Sequence, residues 1–228
     1  LAVGVVITHR ASNVINFGHA AIGMYLAFAY YEFRRSGDLV LPILGLPERV
    51  ALLDRPTVAS ALVVVVLLGA AVGATCFMLI FRPLRQAPAL ARVVASLGLM
   101  VYLIGVVDLR FEGPAATSLQ LEGPLSSRLI DAFGIQVPAD RYALAALTLG
   151  VIGVLWLVDR STRFGLATRA TAENERGALV LGLSPTAIGL TNWILASVSA
   201  GLAVILAAPL SGLDPATTSL LVVPALGA

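Results

Sequence analysis

The sequence has 228 residues, of which 58% are hydrophobic and 12% are charged, and its formal net charge at pH 7 is +2. A soluble domain of this length would carry about twice that charged fraction, so the composition excludes a soluble globular protein. The small net charge argues against nucleic-acid binding. An integral membrane protein is therefore predicted, with room for roughly six spans of about 20 residues each.

Apolar runs predict the membrane segments, and the run at 57–81 is the clearest because it would rise about 37 Å as a helix. Lipid cannot satisfy open backbone groups, so we expect an all-α, polytopic transmembrane helix bundle of about six full or partial spans, forming one domain over residues 1–228. The chain opens and stops inside apolar runs, which predicts a piece of a longer protein. In chain order the segments are 1–8, 13–33, 57–81, 89–109, 142–158, 187–210 and 217–228.

Polar side chains cluster at the start of the second segment. If that region is helical, five of them fall within an arc of about 120°. Five polar groups facing lipid would be costly, so we expect them to face the bundle interior or a water-filled cavity. They form part of a path for a polar solute or make hydrogen bonds between helices. No metal site is expected, because no carboxylate or cysteine lies nearby. The residues are His9, Ser12, Asn13, Asn16 and His19.

The long hydrophilic stretch 159–185 has helical character. Its sequence predicts an amphipathic helix over 170–181, with Glu173 and Asn174 on the polar face. Gly182 is placed to form a left-handed cap, and Pro185 prevents continuation of the helix. This helix is either a simple linker at the membrane surface or a docking surface for a partner protein.

Catalytic patterns are not found in the sequence. It contains no metalloprotease motif, glycine-rich phosphate loop or pair of carboxylates in mid-membrane, so no enzyme activity, cofactor or metal site is predicted. The lone cysteine, Cys76, has no partner for an intramolecular disulfide and is expected to pack as a small apolar residue. Small residues four apart, at Gly69 and Gly73 and at Ser197 and Gly201, predict close helix packing.

Three stretches in this order resemble the permease subunits of bacterial ABC transporters of the branched-chain amino-acid type. The first is Arg-Ala-Ser-Asn-Val-Ile-Asn-Phe-Gly-His-Ala at 10–20, in which two small residues, Gly18 and Ala20, are exchanged relative to the family pattern. The second is Phe-Arg-Pro-Leu-Arg at 81–85. The third is Arg-Ala-Thr-Ala-Glu-Asn at 169–174, followed by an alanine and a Leu-Gly pair at 181–182.

The resemblance implies a multi-pass subunit of the bacterial cytoplasmic (inner) membrane. Such a subunit pairs with a second permease, two cytoplasmic ABC ATPases and an external solute-binding protein, and it does no covalent chemistry itself. A coupling loop over 159–186 would dock on the ATPases through Arg169, Ala170, Glu173, Asn174, Ala178 and Gly182. The substrate path would include Asn13, Asn16, Phe17 and His19.

Substrate and orientation are expected from the same resemblance. Branched-chain amino acids, or a similar small polar solute such as urea or an amide, would be imported. Loops 82–88 and 159–185 would be cytoplasmic and loop 110–140 external. The alternative is an ion-coupled secondary transporter, which has no reason to keep a coupling loop. The polar segment disfavours a purely structural membrane subunit.

Overall fold

The computed structural model describes residues 16–43, 47–111, 129–132 and 135–220. Within these ranges the chain is a bundle of long helices. The helices are α1 (Gly18–Ser36), α2 (Val58–Cys76), α3 (Ala89–Arg110), α4 (Ala139–Ser161), α5 (Arg163–Glu173), α6 (Glu175–Val180), α7 (Pro185–Ser211) and α8 (Pro215–Leu220). The predicted segment 1–8 lies outside the described residues.

Three of the spans predicted from hydropathy are confirmed among the described residues. Three helical stretches, Val58–Phe81, Ala89–Arg110 and Pro185–Pro209, are long and apolar enough to cross a membrane. A fourth candidate is a bent pair, Ala145–Ser161 with Arg163–Glu173, whose axes differ by 69°. Because of this bend α5 does not continue along the axis of α4, and the chain turns a sharp corner where the hydrophilic stretch begins.

The first described helix, α1, lies at the centre of the bundle. Every residue from Gly18 to Tyr30 is buried, and the helix packs against α2, α3, α7 and α8. It ends at Gly37, which has φ +79°, and a Cβ there would lie 1.8 Å from the carbonyl oxygen of Leu53. Glycine is therefore needed at this turn, because other residues rarely adopt positive φ.

Small residues bring α2 and α7 into close contact, as the sequence predicts. A Cβ on Gly73 would lie 2.6 Å from the Ser197 Oγ and 2.8 Å from the Trp193 carbonyl oxygen. Gly201 serves a different contact, between α7 and α1, since a Cβ there would lie 2.7 Å from the Leu26 Cδ1. The glycines thus allow backbones to approach where any side chain would separate the helices.

The end of α2 departs from regular α-helix. It continues into a π-helical turn, Phe77–Phe81, and then a 3-10 turn, Pro83–Gln86, before α3 begins. The 3-10 turn carries Arg85 to the end of the bundle at which α7 starts. We call this connection, residues 82–88, the α2–α3 turn.

Two short antiparallel ribbons interrupt the loops that the sequence treats as turns. Strands β1 (Asp38–Val40) and β2 (Arg49–Ala51) pair in one ribbon, and β3 (Leu129–Ala132) and β4 (Ile135–Pro138) in the other. Each strand has only three or four residues, too few to give a strong alternating pattern, so hydropathy did not predict the ribbons.

The β1–β2 loop is fastened to the end of α3 and to a side chain within α1. Arg110, at the end of α3, donates to the carbonyl oxygens of Leu41 at 2.6 Å and Ile43 at 2.8 Å. The Tyr25 hydroxyl donates to the Val40 carbonyl at 2.5 Å. These bonds place the β1–β2 loop at the end of the bundle opposite the α2–α3 turn, because α3 runs from one to the other.

Candidate functional site

The hydrophilic stretch after α4 forms two short helices that pack against the bundle, and we call residues 162–184 the coupling segment. It consists of α5 and α6 and the turns around them. Thr162 caps α5 by accepting a hydrogen bond from the Gly165 N–H at 3.2 Å. This partly buried hydroxyl cap explains why α4 does not run on into α5.

The predicted single helix over 170–181 is wrong, because the chain breaks at Asn174. This residue has φ −149° and ψ 92°, which ends α5. Its side-chain oxygen accepts from the Gly177 N–H at 2.9 Å and so caps α6. Asparagine offers the backbone this local alternative to helix, and helix propensities alone do not detect it.

The predicted left-handed glycine is confirmed at the end of α6. Gly182 has φ +78°. Its N–H donates to the Leu179 carbonyl at 3.0 Å, and the Leu183 N–H donates to the Ala178 carbonyl at 3.0 Å. This is the bond pattern of a Schellman motif, in which glycine closes a helix without steric cost.

The residues proposed to face an ATPase differ in exposure. Glu173, Asn174 and Gly182 are exposed, whereas Ala178 is buried at 2%. Arg169 and Ala170 are half-buried. Ala178 therefore anchors α6 to the bundle instead of presenting itself to a partner.

Arg169 points back towards α4. Its guanidinium donates to the Asp159 carbonyl oxygen at 2.7 Å and approaches the Asp159 carboxylate at 3.5 Å. These bonds span the corner between α4 and α5. We conclude that Arg169 holds the coupling segment in place, a role that its position in a docking motif did not predict.

An apolar tip at the end of α6 was missed by the sequence analysis. Leu179, Val180 and Leu181 are 55%, 88% and 78% exposed. Three adjacent exposed apolar side chains at a helix end are typical of a surface that another protein or the membrane covers. The sequence does contain a signal for this exposed tip. Leu179, Val180 and Leu181 are adjacent, so they point in different directions around a helix and one buried face cannot cover all three.

Two polar contacts tie the coupling segment to the bundle. Glu175, at the start of α6, accepts from the Arg85 guanidinium at 2.6 Å. Thr168 and Asn192, both buried, hydrogen-bond at 3.3–3.4 Å. The first contact reaches the α2–α3 turn and the second reaches α7, so the coupling segment is tied to both.

Gly165 allows the corner between α4 and α5. A Cβ at this position would lie 1.8 Å from the Asp159 carbonyl oxygen and 2.7 Å from the Asp159 Cα. No side chain fits at those distances, so the corner depends on glycine. Sequence reasoning did not single out this residue, because the contact forms only once the chain has bent.

The second candidate region lies just before and within the start of α1. Asn16 and His19 are each 1% exposed, and the helix begins at Gly18. The Asn16 side-chain oxygen accepts from the Gly18 N–H at 3.0 Å, and the Phe17 N–H donates to the Ser96 Oγ at 3.3 Å. The predicted helical arc of polar side chains is therefore wrong at Asn16, because this residue lies before the first residue of the helix.

Three buried polar atoms in this region accept or donate no hydrogen bond among the described residues. They are the Asn16 Nδ2 and both ring nitrogens of His19. A buried polar atom without a partner costs about 1–3 kcal/mol, so native proteins keep few of them. Asn13, His9 and Ser12 lie outside the described residues.

Within the described ranges, no group of three or more His, Cys, Asp or Glu side chains is placed to hold a metal ion. Cys76 is buried and unpaired.

Comparisons with known proteins agree on one family. The family model described as a branched-chain amino acid transport system permease component matches residues 1–227. The probable branched-chain amino acid transport permease protein LivH of Methanocaldococcus jannaschii is 26% identical over 98% of this chain and 66% of its own length.

Two further relatives are high-affinity branched-chain amino acid transport system permease proteins LivH, from Salmonella typhimurium and Escherichia coli K12. Each is 22% identical over 90% of this chain and 64% of its own length. The chain thus spans slightly less than two thirds of the length of the curated relatives it matches. No solved structure matches.

Proposed function

Because the chain belongs to the family of branched-chain amino acid transport permease components, we propose that it is the membrane-spanning permease subunit of an ATP-driven importer. It would work in the bacterial cytoplasmic membrane with a second permease subunit, two cytoplasmic ABC ATPases and an external solute-binding protein. ATP hydrolysis would reside on the ATPases. Branched-chain amino acids are the proposed substrates, since the relatives' names specify their transport.

The coupling segment is the observation that supports this proposal most directly. It projects an exposed surface that includes Glu173, Asn174 and the apolar tip, while its contacts to Arg85 and Asn192 connect that surface to the spans. This arrangement would let the segment act as a lever between a partner protein and the membrane helices. A partner that moves the tip would move the α2–α3 turn and α7 with it.

Substrate would pass near Asn16, Phe17 and His19, with Asn13 proposed beside them. Support comes from the buried polar atoms that have no partner among the described residues, because a passing polar solute or its water could satisfy them. The other interpretation is that this region forms hydrogen bonds between helices. One bond supports it, from the Phe17 N–H to the Ser96 Oγ. The unpartnered atoms favour the path.

Replacing Asn16 is expected to impair uptake without impairing insertion. Asn16→Leu makes the segment more apolar, so the protein should still reach the membrane, but uptake should fall at least about tenfold. Asn16→Ser retains an acceptor for the Gly18 N–H but lacks the Nδ2 donor. Uptake of radiolabelled leucine, corrected for protein in the membrane, measures both.

Thr191→Leu, a polar-to-apolar change at an exposed position of α7, is the control and should transport normally. If Asn16→Ser restores full uptake, Asn16 acts only as a cap and does not line the path.

The proposed orientation places the coupling segment in the cytoplasm and the β1–β2 loop outside. In a Cys76→Ser background, Val180→Cys should react with an impermeant thiol reagent only after the cells are lysed. Leu52→Cys, half-exposed at the other end of the bundle, should react in intact cells. Labelling of Val180→Cys in intact cells would reverse the orientation.

The energy source distinguishes this proposal from an ion-coupled secondary transporter. Leucine uptake by cells expressing the complete transporter should survive collapse of the membrane potential and ion gradients by ionophores as long as ATP is maintained. It should stop when ATP is depleted with the gradients intact. The opposite pattern would assign the chain to the secondary-transporter class. If urea or an amide competes with leucine for uptake and valine does not, the proposed substrate class is wrong.

A further inference from the structure

A polar cavity of about 230 Å³ lies between the coupling segment, the α2–α3 turn and the start of α7. That volume is many times what one ordered water needs, so the cavity has room for a small polar molecule. The cavity is at the same end of the bundle as the apolar tip. It is separate from the proposed path residues near the start of α1.

The charged lining of the cavity suits a zwitterion. Arg85 and Arg92 contribute guanidinium groups, which bind carboxylates well. Glu175 contributes a carboxylate. Its Oε1 accepts from the Arg85 guanidinium at 2.6 Å, so both signs of charge are present in the lining. A carboxylate and an ammonium group on one small molecule would therefore each meet an opposite charge.

The rest of the lining suits an apolar side chain. Ile188 and Phe77 line the cavity, and Phe81 stacks on Trp193 with ring centroids 4.2 Å apart. Trp193 is fully buried, and its Nε1–H has no acceptor among the described residues although its ring lines the cavity. A buried donor without a partner points to a ligand or water that accepts from it.

We propose that this cavity binds a free amino acid with an aliphatic side chain from the side of the membrane that carries the coupling segment, and that its occupation slows transport. The choice of amino acid class rests on the proposed function. A bound molecule would bridge α5 and α6, the α2–α3 turn and α7. These elements must shift relative to one another if the coupling segment is to act as a lever, so the ligand would hold them together.

Equilibrium binding of radiolabelled L-leucine to the complete transporter, purified without the solute-binding protein, tests the proposal. Saturable binding is expected. Leucinamide, which lacks the carboxylate, and 4-methylpentanoate, which lacks the ammonium group, should each compete at least about tenfold more weakly than leucine, because each loses a charge-assisted contact. If 4-methylpentanoate competes as well as leucine, the cavity is an anion site and the amino-acid proposal is wrong.

Cavity-filling variants locate the bound leucine. Ala172→Phe, at an exposed lining position, and Thr171→Leu, at a partly buried one, should each weaken binding at least about tenfold. The matched control is Ala187→Phe, also exposed on this end of the chain but outside the cavity lining, which should bind like the parent. Full binding by both lining variants would place the leucine elsewhere and overturn the proposal.

The effect on transport is measured in proteoliposomes containing ATP and leucine on the coupling-segment side. Internal leucine should lower the initial rate of uptake severalfold more than equimolar glycine does, and Ala172→Phe should abolish this difference. A transporter that imports leucine but neither binds it without the solute-binding protein nor responds to internal leucine contradicts the inference and leaves the proposed function standing. A complex that imports no leucine contradicts the proposed function, whatever the binding assay gives.

Discussion

Gly165→Ala is expected to reduce leucine uptake at least about tenfold while the protein reaches the membrane at its normal level. The new Cβ would lie 1.8 Å from the Asp159 carbonyl oxygen, whereas ordinary van der Waals contacts begin near 3.4 Å. Since the obstructing atom belongs to the backbone, no rotamer change relieves the clash. The corner between α4 and α5 must open, at a cost of about 1–3 kcal/mol.

Opening that corner would displace the whole coupling segment. The Arg169 bonds to Asp159 cross the same corner, so they would be lost or lengthened. Membrane insertion should be preserved, because the substitution adds one apolar group and leaves the hydropathy of the spans unchanged.

Gly153→Ala is the matched control for this prediction. Gly153 lies in α4, two turns before the corner, and a Cβ there meets nothing within 4 Å. Alanine also favours helix over glycine by about 1 kcal/mol. The control should transport at the level of the parent, and equal uptake by Gly165→Ala and Gly153→Ala would show that the corner is not required.

Gly182→Val is expected to uncouple the transporter. Gly182 has φ +78°, and a β-branched residue is strained there by roughly 1–3 kcal/mol. A Cβ at this position meets nothing within 4 Å, so the strain comes from the backbone alone. Relief of the strain would break the Schellman bonds, fray α6 and displace the apolar tip. Uptake should fall about tenfold or more.

Asparagine distinguishes backbone strain from other effects at this position. It tolerates the left-handed conformation better than other non-glycine residues, so Gly182→Asn should retain most of the uptake. If valine and asparagine are both neutral, the conformation of Gly182 has no part in coupling. If both abolish uptake equally, an added side chain blocks the docking surface directly.

The sequence predicts the spans well because burial in lipid imposes a simple requirement for about 20 apolar residues. The predicted stretch 89–109 is observed as Ala89–Arg110, and 57–81 as Val58–Cys76 with the π-helical turn after it. Gly182 was also predictable, since glycine after the last helical residue is a strong local signal.

The break at Asn174 and the corner at Gly165 were not predicted, for different reasons. Asparagine is only slightly unfavourable within a helix, so its capping bond to Gly177 decides the outcome and no composition rule detects it. Gly165 is required by one contact with Asp159, which depends on the bend itself.

The links between the coupling segment and the bundle could not be predicted from local patterns. Arg85 and Glu175 are 90 positions apart, and Thr168 and Asn192 are 24 apart. Each residue alone is consistent with a solvated surface or a helix end. Only the packing of the α2–α3 turn against α6 and α7 shows that these side chains form one unit and enclose a cavity.

The most direct test of the central claim is ATP hydrolysis by the reconstituted complex of the permease that contains this chain, its partner permease and the ATPases, measured with and without leucine-loaded binding protein. Loaded binding protein should stimulate hydrolysis severalfold in the parent. Glu173→Arg, which reverses an exposed charge on the proposed docking surface, should remove that stimulation while the binding protein keeps its affinity for leucine. Stimulation that is absent from the parent, or the same in the parent and Glu173→Arg, would contradict coupling through this segment.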